Sequence, residues 1–176
     1  MRKTILYIAM SLDGFIADRQ DGVDWLDSQA PADDAPSSYP NFIQTVDTVL
    51  MGRNTYDQVI QVLSPGHWPY TGLHTFVLTH RPAVRQPGVQ FVDEDAPHLL
   101  ARLRAQAGKD IWVCGSAALA QDCIRADCID QYRITVIPIL LGQGVRLFPS
   151  DGPCLPLRLL SAVSAGSMTE LTYARR

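Results

Sequence analysis

The stretch that decides the fold is residues 49–60, VLMGRNTYDQVI. Val49, Leu50 and Met51 make a short apolar run, which predicts a buried strand. The run stops at Gly52, and Arg53, Asn54, Thr55 and Tyr56 open a short predicted helix. In open α/β sheets, ligands gather where strands end and helices begin. Free backbone N–H groups and the helix dipole favour anions there, and glycine lets a phosphate approach the backbone. The same joint recurs in WVCGSAALA, 112–120, where Gly115 and Ser116 precede a helix starting at Ala117 and Ala118. A single joint of this kind needs no ligand to explain it, since such turns use glycine for geometry alone. Two of them, carrying Arg53, Thr55 and Ser116, predict a diphosphate ligand.

Outward from these joints, HTFVLTHR (74–81) is a third strand, ending at Thr79, His80 and Arg81. By itself this is a solvated basic strand end. Beside two phosphate-type joints it predicts an additional phosphate, such as the 2′-phosphate of NADP. The pattern G-x-G-x-x-G is absent, which excludes the ordinary dinucleotide fold. Residues 3–10 and 89–94 read as strands, 111–114 as a buried strand, and 129–137 as a long one. Helices are predicted at 39–46, 53–60, 96–107 (ended by Gly108) and 117–126. Residues 157–165 and 167–174 read as a closing hairpin turning at Gly166. Strands alternate with helices early and dominate late. This predicts one three-layer α/β domain over 1–176, with a mostly parallel sheet and antiparallel edge strands. The connection 12–40 is long, and its PADDAPSSYP tract reads as a loop in which Asp33 and Asp34 are solvated. Gly142 and Gly144, in LLGQGVRLFP, predict a bulged turn near the cofactor edge.

Composition narrows the function. The chain has 176 residues, 47% of them hydrophobic and 19% charged, with a net charge of −3. That is an ordinary globular balance, with no global field for nucleic acid or an anionic membrane. No apolar run approaches the ~18 residues of a membrane helix. The N-terminus imitates a signal peptide, but Asp13 and Gly14 interrupt it and no small-residue cleavage site closes it. A cytoplasmic protein is expected. Cys114, Cys123, Cys128 and Cys154 show no paired spacing, and His67, His74, His80 and His98 lack the spacing of metal ligands. Reduced cysteines and no metal centre are expected.

MSLDGFIA (10–17), DTVLMGRNTY (47–56), VLTHR (77–81), WVCGSAALA (112–120) and IDQYRITVIPILLGQGVRLFP (129–149) together resemble the dihydrofolate reductase-like superfamily. The resemblance is to the branch containing the riboflavin-biosynthesis reductase domain and its stand-alone bacterial relatives. It implies a central eight-stranded sheet, NADPH lying across the strand ends, and hydride transfer to an unsaturated heterocycle. It also implies roles. Gly52, Arg53, Asn54 and Thr55 would form the phosphate-binding turn, and Thr79, His80 and Arg81 would flank the adenosine ribose. Gly115, Ser116, Ala117 and Ala118 would cradle the diphosphate, although relatives often have Gly-Gly where this chain has Gly115-Ser116. Ala9, Ile16 and Ala17 would wall the nicotinamide. Relatives are often dimeric, so a homodimer is an expectation.

The substrate side departs from these patterns. Hydride transfer to a C=N or C=O bond needs a proton source and a fixed acceptor. In true dihydrofolate reductases a carboxylate sits on the helix before the glycine-arginine turn. Here that position falls near Ser38, so dihydrofolate is expected to be a poor substrate, and an acid placed at Ser38 is expected to improve it. The riboflavin-pathway reductase binds a phosphoribosyl group through basic residues, whereas residues 22–51 contain no Lys or Arg. Asp13 is the candidate catalytic acid, or else the turn-former of an Asp-Gly pair. Trp25, Phe42 and Trp68 are candidates to stack on a substrate ring, or else to pack in the fold. The reading is an NADPH-dependent reductase of a small pterin-, pyrimidine- or flavin-like heterocycle. The rival is a non-catalytic nucleotide-binding protein that keeps the cofactor cleft.

Overall fold

The structure is a computed structural model describing residues 1–29, 38–84 and 86–176. Asp33 and Asp34 fall outside the described residues. The central sheet is built on strand β1 (Thr4–Ser11), whose alternate side chains face two cores. On one face Leu6 packs with Leu50, Val113, Tyr132 and Ile134 beneath helices α3 (Ala96–Arg104) and α4 (Ala117–Arg125). On the other, Ile5 packs with Val49, Met51, Val77 and Trp112 beneath α1 (Tyr39–Ile43) and α2 (Arg53–Gln58). This double burial explains why β3 (Val46–Gly52) reads as a continuous apolar run. Leu50, Val49 and Met51 are all fully buried.

The remaining strands are β2 (Phe15–Ala17), β4 (His74–Leu78), β5 (Val89–Val92), β6 (Asp110–Gly115), β7 (Gln131–Ile137), β8 (Val145–Arg146), β9 (Leu157–Ala165) and β10 (Met168–Arg175). Eight of them form one sheet in the order β5-β4-β3-β6-β1-β7-β10-β9. Neighbours from β5 to β7 are parallel, and β10 is antiparallel to both β7 and β9. The expected mostly parallel eight-stranded sheet with an antiparallel C-terminal hairpin is therefore present. Gly166, at φ +61°, makes the two-residue hairpin turn.

Three features depart from the sequence reading. The long connection after β1 contains β2, which pairs with β8, and a 3₁₀ segment at Asp24–Gln29. The second helix continues beyond Gln58 as a π-helical turn, Val59–Leu63. The basic N-terminus belongs to the core: Arg2 is 7% exposed, pairs with Asp47, and donates to Thr48 Oγ1 at 2.6 Å and the Lys109 carbonyl at 2.5 Å. That network satisfies a charge which would be costly to bury alone. No helix among the described residues is long and apolar enough to cross a membrane.

Candidate functional site

The two glycine joints face each other. β3 and β6 are adjacent and parallel, so Gly52 and Gly115 end neighbouring strands. Gly52 has ordinary extended dihedrals, φ −78° and ψ 163°, so its backbone alone does not demand glycine. The reason lies across the gap, where a Cβ on Gly52 would sit 2.5 Å from Ser116 Oγ and 3.3 Å from Ser116 Cβ. Gly115 is different. Its φ is +141°, its bond to Ser116 is cis, and a Cβ there would meet Thr55 Oγ1 at 3.1 Å. Only glycine adopts that φ readily.

Above these joints lies a cleft made of two adjoining cavities that share Asn54, Ser116 and Ala118. The first, of about 490 Å³, is lined by Ile16, Ala17, Thr55 and Ala117 among others. The second, of about 380 Å³, is lined by Gly52, Arg53, Thr79 and His80. Residues 16–17, 52–55, 79–80 and 116–118, with Val145, thus meet along two adjoining cavities although they are far apart in the chain. The start of α4 opens into them; its N-cap, Ser116, makes no side-chain capping bond, so the hydroxyl is not spent on the helix. Gly144 precedes Val145, which lines the first cavity. The glycine has φ +145°, and a Cβ there would collide with the Ala17 carbonyl, so β8 can pair with β2 only if this residue lacks a side chain.

The basic end is more balanced than the sequence implies. Arg53 Nε donates to Asp57 at 2.7 Å, one helical turn on, and Nη1 to the Pro82 carbonyl at 3.2 Å. Arg81 donates to Asn54 Oδ1 at 3.0 Å and lies 3.8 Å from Asp57. Asp57 is thus shared by both arginines. His80 pairs with Asp93, and Glu94, Asp95 and Asp122 also line the second cavity. The strand end that the sequence reads as basic and solvated is therefore paired with acids. Asp57 reaches Arg53 by i, i+4 helical spacing, whereas Asp93 reaches His80 only through the pairing of β4 with β5.

Asp13 is engaged as a clamp. Its carboxylate accepts from Ser11 Oγ at 2.6 Å, Gly142 N at 2.7 Å and Leu141 N at 3.1 Å. These bonds, led by that from Ser11, hold its pKa below the usual carboxylate value. An acid held ionised is a poor proton donor, so the geometry favours the turn-forming reading over the catalytic one.

Two of the aromatic candidates, Phe42 and Trp68, pack against other aromatic rings in this structure. Phe42 is fully buried, stacked on Tyr7 at 4.3 Å and edge-on to Trp112 at 5.5 Å. Trp68 lies between Tyr56 and Tyr70, with ring centroids 5.7 and 5.2 Å away. Trp25 is 9% exposed in the 3₁₀ segment.

One group escaped the sequence reading. Ser38, the position where a helix acid was sought, donates to Glu170 of β10, and Tyr7 lies 2.9 Å from Ser38 Oγ. Glu170 Oε1 accepts from Arg133 of β7 at 2.9 Å. The Arg133 guanidinium lies 5.3 Å from the ring centroids of both Tyr7 and Phe42. Burial pushes the Tyr7 hydroxyl pKa up. A carboxylate does stand by Ser38, but it comes from a strand 132 residues away in the chain. The only signal for it was a charged residue in each of two otherwise ordinary strand patterns.

Comparison with known proteins agrees with this architecture. Residues 2–170 match the family model of the RibD C-terminal domain. The chain is 42% identical over 175 residues to the uncharacterized protein YwjB of Bacillus subtilis (strain 168), covering 99% of this chain and 98% of that one. It is similar in structure to a protein from Shewanella sp. PV-4 named, provisionally, as a riboflavin biosynthesis protein. That match has a TM-score of 0.87, 32% identity and 99% coverage of both chains. It also overlays the Thermotoga maritima diaminohydroxyphosphoribosylaminopyrimidine deaminase/5-amino-6-(5-phosphoribosylamino)uracil reductase. There the TM-score is 0.73 at 17% identity, over 99% of this chain and 57% of that one, a likeness of fold. The chain belongs to the RibD C-terminal domain family, and its fold is dihydrofolate reductase-like.

Proposed function

We propose that the protein is an NADPH-dependent reductase passing hydride to a small pterin-, pyrimidine- or flavin-like heterocycle. The observation that carries this reading is the groove over the two facing glycine joints, with a cation-bearing end and a small-residue end. A Cβ at Gly52 or Gly115 would intrude into those joints, as expected where backbone must be approached closely. Bound there, the cofactor would supply the hydride. Thr55, Ser116, Ala117 and Ala118 would hold its diphosphate. Arg53, Arg81, Thr79 and His80 would face the adenosine end, with Asn54 at the waist. Ile16 and Ala17 would wall the nicotinamide; Ala9, on β1 opposite Thr135, lines neither of the two cavities and would reach the ring only from the sheet beyond them. The names of the family and of its structural relatives point to riboflavin-pathway reduction, and we carry over only the reaction class.

The experiment is NADPH titration by tryptophan fluorescence, followed by NADPH oxidation with a panel of unsaturated heterocycles. Failure of NADPH to bind would sink the proposal. Binding without turnover on any member would favour the non-catalytic rival, which draws support from the commitment of Asp13 to its loop. We also propose a cytoplasmic homodimer. The edge strand β9 exposes Leu159, Leu160 and Val163, an apolar edge of the kind a second copy covers.

A further inference from the structure

The sheet face under α1 is apolar near β3, where Val49 and Met51 lie, and polar near β7. Register places Ala9, Thr135 and Glu170 in one row across β1, β7 and β10, and Tyr7, Arg133 and Thr172 in the next. The first row includes the residue assigned to the nicotinamide wall. Glu170 and Arg133 are 16% and 20% exposed, so both charges have lost most of their water. An apolar pair of similar volume would hold two strands at least as well. The charges are therefore informative about what this face presents rather than about what stabilises it.

Their wiring is directional. Ser38 gives its single hydroxyl proton to Glu170, so the bond between Tyr7 and Ser38 has Tyr7 as donor. Raised in pKa by burial, Tyr7 stays protonated in that role. Glu170 then accepts on both oxygens, from Ser38 and from Arg133, and a carboxylate oxygen has capacity for a second bond. Of the five N–H donors of Arg133, the described residues use one, to Glu170. Its Nε is buried with no partner among them. The pair thus offers an acceptor and a donor side by side, with no net charge.

We propose that Glu170 and Arg133 select the substrate, taking an uncharged planar heterocycle whose edge carries an N–H beside a C=O. A ring bearing a phosphate or carboxylate tail is disfavoured, because Glu170 repels its charge while Arg133 is already paired and residues 22–51 hold no Lys or Arg. Tyr7 and Ser38 are positioning residues that orient the Glu170 carboxylate. The inference rests on the reductase reading above, in that it takes the nicotinamide to lie at the Ala9 row.

The test uses two probes with the same ring, 6-methylpterin and pterin-6-carboxylate, titrated calorimetrically into the protein saturated with NADP⁺. Wild type should bind the uncharged ring at least ~10-fold more tightly, because the carboxylate of the other probe is set against Glu170. Glu170→Gln frees Arg133 and should reverse the preference, the carboxylate now binding more tightly. Ser38→Ala should weaken the uncharged probe severalfold without reversal, and it stands as the test if Glu170→Gln does not fold. NADP⁺ affinity should be unchanged in both variants. Equal affinities in wild type, no binding of either ring beside intact NADP⁺ binding, or a probe ratio unmoved by both variants would each overturn the proposal. Absence of NADP⁺ binding by wild type would instead refute the reductase reading.

Discussion

Replacing Gly52 with alanine isolates the steric role of the first glycine joint. At φ −78° and ψ 163° alanine is as comfortable as glycine, so no backbone penalty enters. The cost is contact with Ser116. The new methyl would lie 2.5 Å from Oγ, 3.3 Å from Cβ and 3.4 Å from N. The hydroxyl rotates away cheaply, while the Cβ must give by a few tenths of an ångström. Overpacking of this kind costs about 1–3 kcal/mol, and the mobile Oγ places Gly52→Ala at about 1–2. For a domain of this length that lowers Tm by roughly 2–8 °C. Because Ser116 also lines both halves of the groove, NADPH affinity should fall severalfold.

The diagnostic step is the second change, Ser116→Gly. It removes both tight contacts and leaves only the 3.4 Å approach to the backbone nitrogen, an ordinary contact. The double variant should therefore be more stable than additivity predicts, by about 1 kcal/mol, measured by urea denaturation as a double-mutant cycle. Gly115 supplies the contrast, since at φ +141° any side chain is strained and no neighbour's removal can rescue it. A coupling within ~0.3–0.5 kcal/mol of zero would refute the view that Gly52 is glycine because of Ser116.

Three further outcomes are expected. NADPH should bind more tightly than NADH, and Asp57→Asn should widen the gap by about 1 kcal/mol, because it releases the acid shared by Arg53 and Arg81; fluorescence titration of both cofactors measures it. Asp13 has a folded-state pKa below its ordinary 3.8, so its hold on residues 141–142 is fully present above that value and is lost as pH falls through the depressed one. Asp13→Asn should abolish that acid dependence and speed hydrogen exchange at the Leu141 and Gly142 amides. Finally, Ser38→Asp, expected from the sequence to raise dihydrofolate reduction, should instead lower stability by about 1–3 kcal/mol, because it sets a second carboxylate against Glu170; thermal melts at neutral and acidic pH would show the loss shrinking as acid is protonated.

The amino-acid sequence by itself determined most of the elements and the residues of the two glycine joints. Apolar runs bounded by glycine specify buried strands, so VLMG and WVCG announced β3 and β6, their helices and the residues between. These signals are local: a strand, its glycine and the helix start lie within a few consecutive residues, and the chemistry is carried in the same segment. β2 and β8 escaped because strands of three and two residues have no period to read, and they exist through mutual pairing with Gly144 pressed on Ala17. The long-range pairings were decided only in three dimensions. That β10 enters between β7 and β9, with Glu170 in the row of Ala9 and Thr135, follows from sheet order, which no local pattern encodes. The same holds for Asp57 between two arginines, for Asp13 turned to the 141–142 amides, and for Phe42 sealed between Tyr7 and Trp112. Each is a charge or ring whose role depends on which partner arrives, and the partner is chosen by packing of the whole sheet rather than by neighbours in the chain.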